Sequence, residues 1–254
     1  MMHDLRIYAL EAKTEFLKTA RMPAYAVPAL AFPAMFYLLF AVALGGGRIG
    51  GAQAPTYMIA TYGGFGVMGA ALFAFGVGVA VERGQGWMLL KRAMPAPAGA
   101  WIAAKISMSV LFGAIIVVLL SILGFMVGHV RLPIATWVAL AAVLVAGALP
   151  FSAFGLALGY VAGPNSAPAI VNLIYLPMAF ASGMWIPIEF LPGFMKQIAV
   201  CLPAYHYAQL ALGIIGGGRG GPAWSHVVAL AGFTALSLAV ALAAYRRDEG
   251  VTYG

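Results

Sequence analysis

The sequence predicts an all-α integral membrane protein: six transmembrane helices, an N-terminal amphipathic interface helix, and short outer re-entrant helices between spans 5 and 6. Three observations carry that expectation. The 254 residues are 63% hydrophobic and only 8% charged, against roughly 45–50% and about 25% in a soluble domain, so lipid must solvate much of the surface. Six stretches, at about 24–44, 57–80, 102–127, 134–162, 166–185 and 224–245, carry no Asp, Glu or Arg in their interiors. Each reaches the roughly 20 apolar residues that cross the hydrocarbon core as helix. Their apolarity is uniform rather than alternating, which excludes outer-membrane strands.

The elements follow in order. Residues 1–23 are charged, yet Leu5, Tyr8, Ala9, Ala12, Phe16 and Ala20 share one helical face. A basic amphipathic helix beside a span is expected to lie in the membrane interface, with Leu5, Tyr8, Ala12 and Phe16 as its apolar side. The first apolar run is too long for the core of a cleaved signal and more spans follow it. Residues 81–101 form a charged loop. Lys105 opens the third span, from where it can snorkel to the interface. Residues 186–223 form an outer segment of two short helices closed by the glycine-rich turn at Gly216–Gly221. A seventh span at 197–216 would have to bury Gln197, His206 and Gln209.

Basic residues orient the chain. With the N-terminus inside, Arg6, Lys13, Lys18, Arg21, Arg83, Lys91, Arg92, Lys105, Arg246 and Arg247 are internal, and Arg48, Arg131, Lys196 and Arg219 external. The excess places both termini in the cytoplasm. The +7 net charge is thereby read as topology, and nucleic acid is not expected as a partner.

Several chemistries lack their residues. There is no GxxxxGK[ST] phosphate loop and no HExxH. Cys201 is the lone cysteine and His3, His129, His206 and His226 are scattered, so no metal site and no catalytic constellation is expected. No carboxylate lies mid-membrane, where an ion-coupled carrier would place one. Uphill transport would then need an engine on another chain. Two other features keep two readings each. Gly155, Gly159 and Gly163 form a small-xxx-small face for intrachain packing or a dimer seam. Asn172 lines a substrate path, with Tyr37, Tyr62 and Tyr175, or bonds only to a neighbouring helix.

The loop carries a pattern. From Glu82 and Arg83, a glycine follows at Gly86, a proline at Pro95 and a lysine at Lys105. This resembles the ABC-2 type permease family of ABC transporters, whose loop between the second and third spans reads E-R-E-x-G-T-L-E-x-L-L-x-T-P-L-S and ends in G-K. Gly84, Trp87, Leu89 and Ala104 depart from it. A second stretch, with Ser182, Gly183, Pro187, Leu191, Pro192 and later Pro203, is similar to the family's S-G-x-x-x-P-x-x-x-L-P hallmark, with Glu189 inside it.

The resemblance implies one ABC-2 transmembrane domain over 1–254 and a permease subunit with no nucleotide site of its own. ATP and Mg would belong to a separate ATPase subunit. The loop would form a coupling helix for that partner from Glu82, Arg83, Gly86, Trp87, Leu90, Lys91, Met94 and Pro95. Trp87, Leu90 and Met94 fall on one apolar face; the other reading of the loop is an interfacial hairpin whose tryptophans sit at headgroup level. A second permease copy, as a homodimer, would complete the pathway in a bacterial cytoplasmic (inner) membrane. The implied cargo is a lipophilic, drug-like small molecule or lipid, exported. A lipid-linked glycan, or a six-span channel outside the family, is the alternative.

Overall fold

The computed structural model describes residues 2–44, 47–93, 97, 99–218 and 220–249. Helix α1 is Met2–Ala20 and α2 is Pro23–Leu44. A two-residue-per-strand antiparallel hairpin follows, Arg48–Ile49 with Ala52–Gln53. One continuous helical rod then runs through α3 (Ala54–Leu72), a π-helical turn (Phe73–Val77) and α4 (Gly78–Gly84). Next come α5 (Trp87–Ala93), α6 (Ala100–Met126), α7 (Ile134–Ala146), α8 (Ala148–Val161) and α9 (Ala167–Ala181). A 3₁₀ turn at Ile188–Phe190 leads to α10 (Gly193–Ala199), α11 (Pro203–Ile214) and α12 (Ala223–Glu249).

Apart from that hairpin, the regular structure among the described residues is helical. Among the described residues, five helical stretches are long and apolar enough to cross a membrane: Pro23–Ala41, Ala54–Gly84, Ala100–Met126, Ile134–Val161 and Ala223–Arg247. A sixth apolar helix, α9, has 15 residues. At about 1.5 Å per residue it reaches about 22 Å, short of the roughly 30 Å hydrocarbon core. Its chain leaves helix at Gly183, whose φ is +79°. A Cβ there would lie 3.0 Å from Ile188 Cβ, so the turn into the outer segment requires glycine. At 12 residues α11 is not a span.

Helix α3 is the centre of the molecule. Every residue from Ala54 to Leu72 is buried, and the rod is packed by α2, α6, α8, α9 and α11. Side chains such as Val118, Phe125, Val138 and Leu236 face outward, as lipid-facing positions do. Glycines set the close approaches. A Cβ on Gly159 would stand 2.7 Å from the Phe75 carbonyl oxygen, and one on Gly155 would stand 2.9 Å from Phe75 Cβ. The small-residue face of α8 therefore packs within the chain, against the π turn.

The fourth apolar stretch is interrupted at Gly147, between α7 and α8. A side chain at 147 would collide with the Tyr207 ring of α11, and the Tyr207 hydroxyl donates to the Leu144 carbonyl at 2.5 Å. The break is a socket for an aromatic wedge, and its hydroxyl satisfies a carbonyl near the end of α7.

Helix α1 packs along α6 with a face that differs from the apolar stripe in its sequence. Glu15 and Thr19 are buried, Tyr8, Ala12 and Phe16 are half-buried, and Leu5, Ala9 and Ala20 are exposed. Phe16 meets Phe112 at 5.5 Å. The helix is turned so that a carboxylate faces inward, and the reason lies in α6.

Candidate functional site

That reason is Lys105. Its side chain is 1% exposed, so it does not snorkel. Its ammonium donates to Glu15 Oε1 at 2.7 Å and to Glu82 Oε1 at 3.0 Å. Lys18, one helical turn beyond Glu15, donates to Glu82 Oε1 at 2.5 Å and to Glu15 Oε2 at 3.4 Å. The Trp101 indole N–H donates to Glu82 Oε2 at 2.9 Å. Two carboxylates and two ammonium groups thus neutralise one another inside the protein. A buried charge survives only when paired and hydrogen-bonded, and this tetrad meets that condition by joining three elements: α1, α4 and α6.

Its members are unequal. Lys105 and Glu82 are sealed in, whereas the Lys18 side chain is 39% exposed. Burial acts to lower the Lys18 pKa; the Glu82 and Glu15 carboxylates outweigh it and hold the ammonium above the ordinary lysine value. The Lys18 ammonium also stands 5.5 Å from the centre of the Trp87 ring, a cation–π distance.

Arg83 points the other way. Its guanidinium donates to the carbonyls of Gly159 and Tyr160 at 2.8 and 3.0 Å and lies 5.3 Å from the Tyr160 ring. These carbonyls belong to the last turn of α8, where a cation satisfies groups left without intrahelical partners. Neighbouring residues of α4 thus hold α1 and α6 on one side and α8 on the other.

The turn at Gln85–Gly86, with Gly86 at φ +74°, carries the chain out to α5. There Trp87 is 45% and Leu90 66% exposed, while Met88 packs toward the core. Lys91 lies on the same helix; Met94 and Pro95 lie outside the described residues. Of the expected coupling residues, then, the structure turns Glu82 and Arg83 inward as braces and leaves Trp87 and Leu90 at the surface.

Above the tetrad lies a cavity of about 930 Å³ between α1, α2, the α3–α4 rod and α9. Glu15, Lys18, Glu82, Trp87 and Lys105 line one end, and Phe36, Phe65, Tyr175 and Trp185 line the other. Most of its wall is apolar. Phe65 stacks on Tyr175 at 4.8 Å, and Trp185 packs against Phe36 at 5.3 Å. The Tyr175 hydroxyl donates to the Phe65 carbonyl at 3.0 Å, and Asn172, also in the wall, donates back to Pro168 of its own helix. Tyr37 and Tyr62 are buried and do not line the cavity; Tyr62 lies directly behind the wall, stacked on Phe36 at 6.1 Å and donating to the Trp185 carbonyl at 3.1 Å.

The outer motif is structural in its contacts. Pro187 and Pro192 immediately precede the 3₁₀ turn and α10, and Pro203 opens α11. Proline fits helix starts because its missing N–H would be unpaired there anyway. The Glu189 carbonyl accepts from Lys196 at 2.9 Å.

Residues 9–215 match the ABC-2 type transporter family. The chain belongs to that family. A relative, YvfS of Bacillus subtilis (strain 168), a chain named as a transport permease, is 28% identical over 187 residues, which cover 74% of this chain and 76% of YvfS. This ABC-2 permease is thus a multi-helix membrane protein in which Glu82 and Lys105, the two ends of the loop pattern, form an internal ion pair. Glu15 and Lys18 complete the site and carry no place in the motif. The one signal for them in the sequence is their spacing of three residues on a helix, a favourable acid–base pair.

Proposed function

We propose that this chain is the membrane subunit of an ATP-driven exporter of lipophilic small molecules. The observation that carries the reading is the continuity from an exposed helix to a cavity wall. Trp87 and Leu90 present an apolar-aromatic patch on α5, of the kind a protein partner covers. Directly behind it, Glu82 ties α4 to α1 and α6, and all three elements contribute to the cavity wall.

In this reading a separate ATPase subunit binds and hydrolyses ATP with Mg and grips α5 from the cytoplasm. Its closure displaces α5, and the tetrad makes α1, α4 and α6 follow as one body. The cavity then opens outward by a rigid-body rocking of the spans. Two permease copies complete the pathway, with both termini cytoplasmic in a bacterial inner membrane. An aromatic, apolar wall favours a lipophile over a glycan, whose hydroxyls would each need a polar partner on leaving water.

The test is co-expression with the ABC ATPase subunits encoded in the same genome, each in turn, followed by reconstitution in nanodiscs. Co-purification, with ATP hydrolysis stimulated by lipophilic compounds, is expected. An ATPase that does not associate, or whose turnover ignores every compound across a hydrophobic panel, overturns the reading.

A further inference from the structure

Resting on the reading of the cavity as the transport site, we propose that its preferred cargo is a lipophilic amine, whose ammonium replaces that of Lys18 against Glu82, Glu15 and Trp87. The Lys18 ammonium is bound as a ligand would be. One carboxylate oxygen lies at 2.5 Å, a second at 3.4 Å, and an indole face at 5.5 Å. Carboxylates beside an aromatic face are the means by which proteins hold organic cations. All three groups line one end of a cavity whose wall is otherwise mostly apolar and aromatic.

The two lysines of the tetrad are not equivalent in this respect. Lys105 is sealed and bridges both carboxylates, so it stays with the protein. Lys18 is 39% exposed, so its ammonium has a route to water, and an incoming ammonium that takes over its contacts keeps the buried carboxylates paired throughout the exchange. Its departure leaves two carboxylates facing one buried ammonium, a net charge of −1 at the end of a hydrophobic chamber. A protonated amine with an apolar body restores neutrality there and fills the aromatic space with its tail. Lys18 is then a tethered occupant that the cargo displaces, and its removal should strengthen binding. A purely structural lysine predicts the opposite.

The probes are dansylcadaverine, a lipophilic primary amine, and its N-acetyl derivative, which differs in lacking the charge. Binding is read from dansyl emission with the permease in phosphatidylcholine nanodiscs. The amine is expected to bind about tenfold tighter than the amide, as one charge-assisted contact would give. K18M is expected to tighten the amine by a further factor of about ten and to leave the amide unchanged. K196M removes an equal charge from the outer segment and should leave both probes unchanged. Equal binding of the two probes, or amine binding unchanged or weakened in K18M with a wild-type elution profile, overturns the amine proposal while leaving a lipophile cavity standing. Failure of both probes to bind overturns the cavity reading as well.

Discussion

Lys105 on α6 reaches across to Glu15 on α1, 2.7 Å away and 90 residues earlier in the chain. This pair attaches the N-terminal helix to the transmembrane body. Removing the cation in K105M strands two carboxylates with Lys18 alone. A loss of about 3 kcal/mol or more is expected, visible as a lowered thermal midpoint in detergent. The double variant E15Q/K105M leaves Glu82 with Lys18 and should recover part of that loss. Strict additivity of the two single changes would contradict a shared network.

Arg83 is the corresponding brace on the other side of α4. R83M leaves the Gly159 and Tyr160 carbonyls without their donors and should cost about 1–3 kcal/mol. R83K keeps the charge but not the planar fork, so it should fall between wild type and R83M. Thermal unfolding of the three proteins gives the order directly.

The seam between α8 and the π turn should tolerate no side chain at Gly159. G159A brings a methyl group to 2.7 Å from the Phe75 carbonyl oxygen, and overpacking of this kind costs about 1–3 kcal/mol. Gly213, on α11, has open space around the position of a Cβ. G213A should be neutral or stabilising by up to about 1 kcal/mol, because alanine is the better helix former. G159A should thus lower the thermal midpoint, and G213A should leave it unchanged or raise it.

Tyr207 should behave as a wedge rather than as a cargo contact. Y207F keeps the ring in the Gly147 socket but removes the bond to the Leu144 carbonyl. It should cost about 1 kcal/mol and leave lipophile-stimulated ATP turnover intact. Loss of stimulation without loss of stability would instead assign Tyr207 to the transport path.

Five apolar stretches were legible because about twenty apolar residues with almost no charge have one stable solution in lipid, whereas the stretch at 166–185 holds a helix of only 15 residues that ends before Gly183. The break at Gly147 was not legible, since hydropathy runs through it uninterrupted and its cause is a tyrosine 60 residues later. The motif register located Glu82 and Lys105 but not their relation, and Lys105 read alone resembled a residue reaching for water. Its partner Glu15 sat in a helix whose apolar stripe pointed elsewhere. A buried ion pair overrides such a stripe, because leaving Lys105 unpaired would cost more than exposing Leu5 and Ala9. Tyr37 and Tyr62, grouped in sequence with Tyr175 as aromatics for a path, fell in the core, because side-chain direction depends on which neighbour each helix face meets.

The central claim is that an ATPase grips this permease through α5. It is tested most directly by site-specific cross-linking. Cys201 is the lone native cysteine and is exposed, so C201S/L90C carries one reactive thiol on α5, and the native protein carries one on the outer segment. With a bifunctional thiol reagent and the co-expressed ATPase, the account predicts a covalent permease–ATPase product from position 90 and none from Cys201. A product from Cys201, or none from position 90 while the two proteins still co-purify, would contradict it.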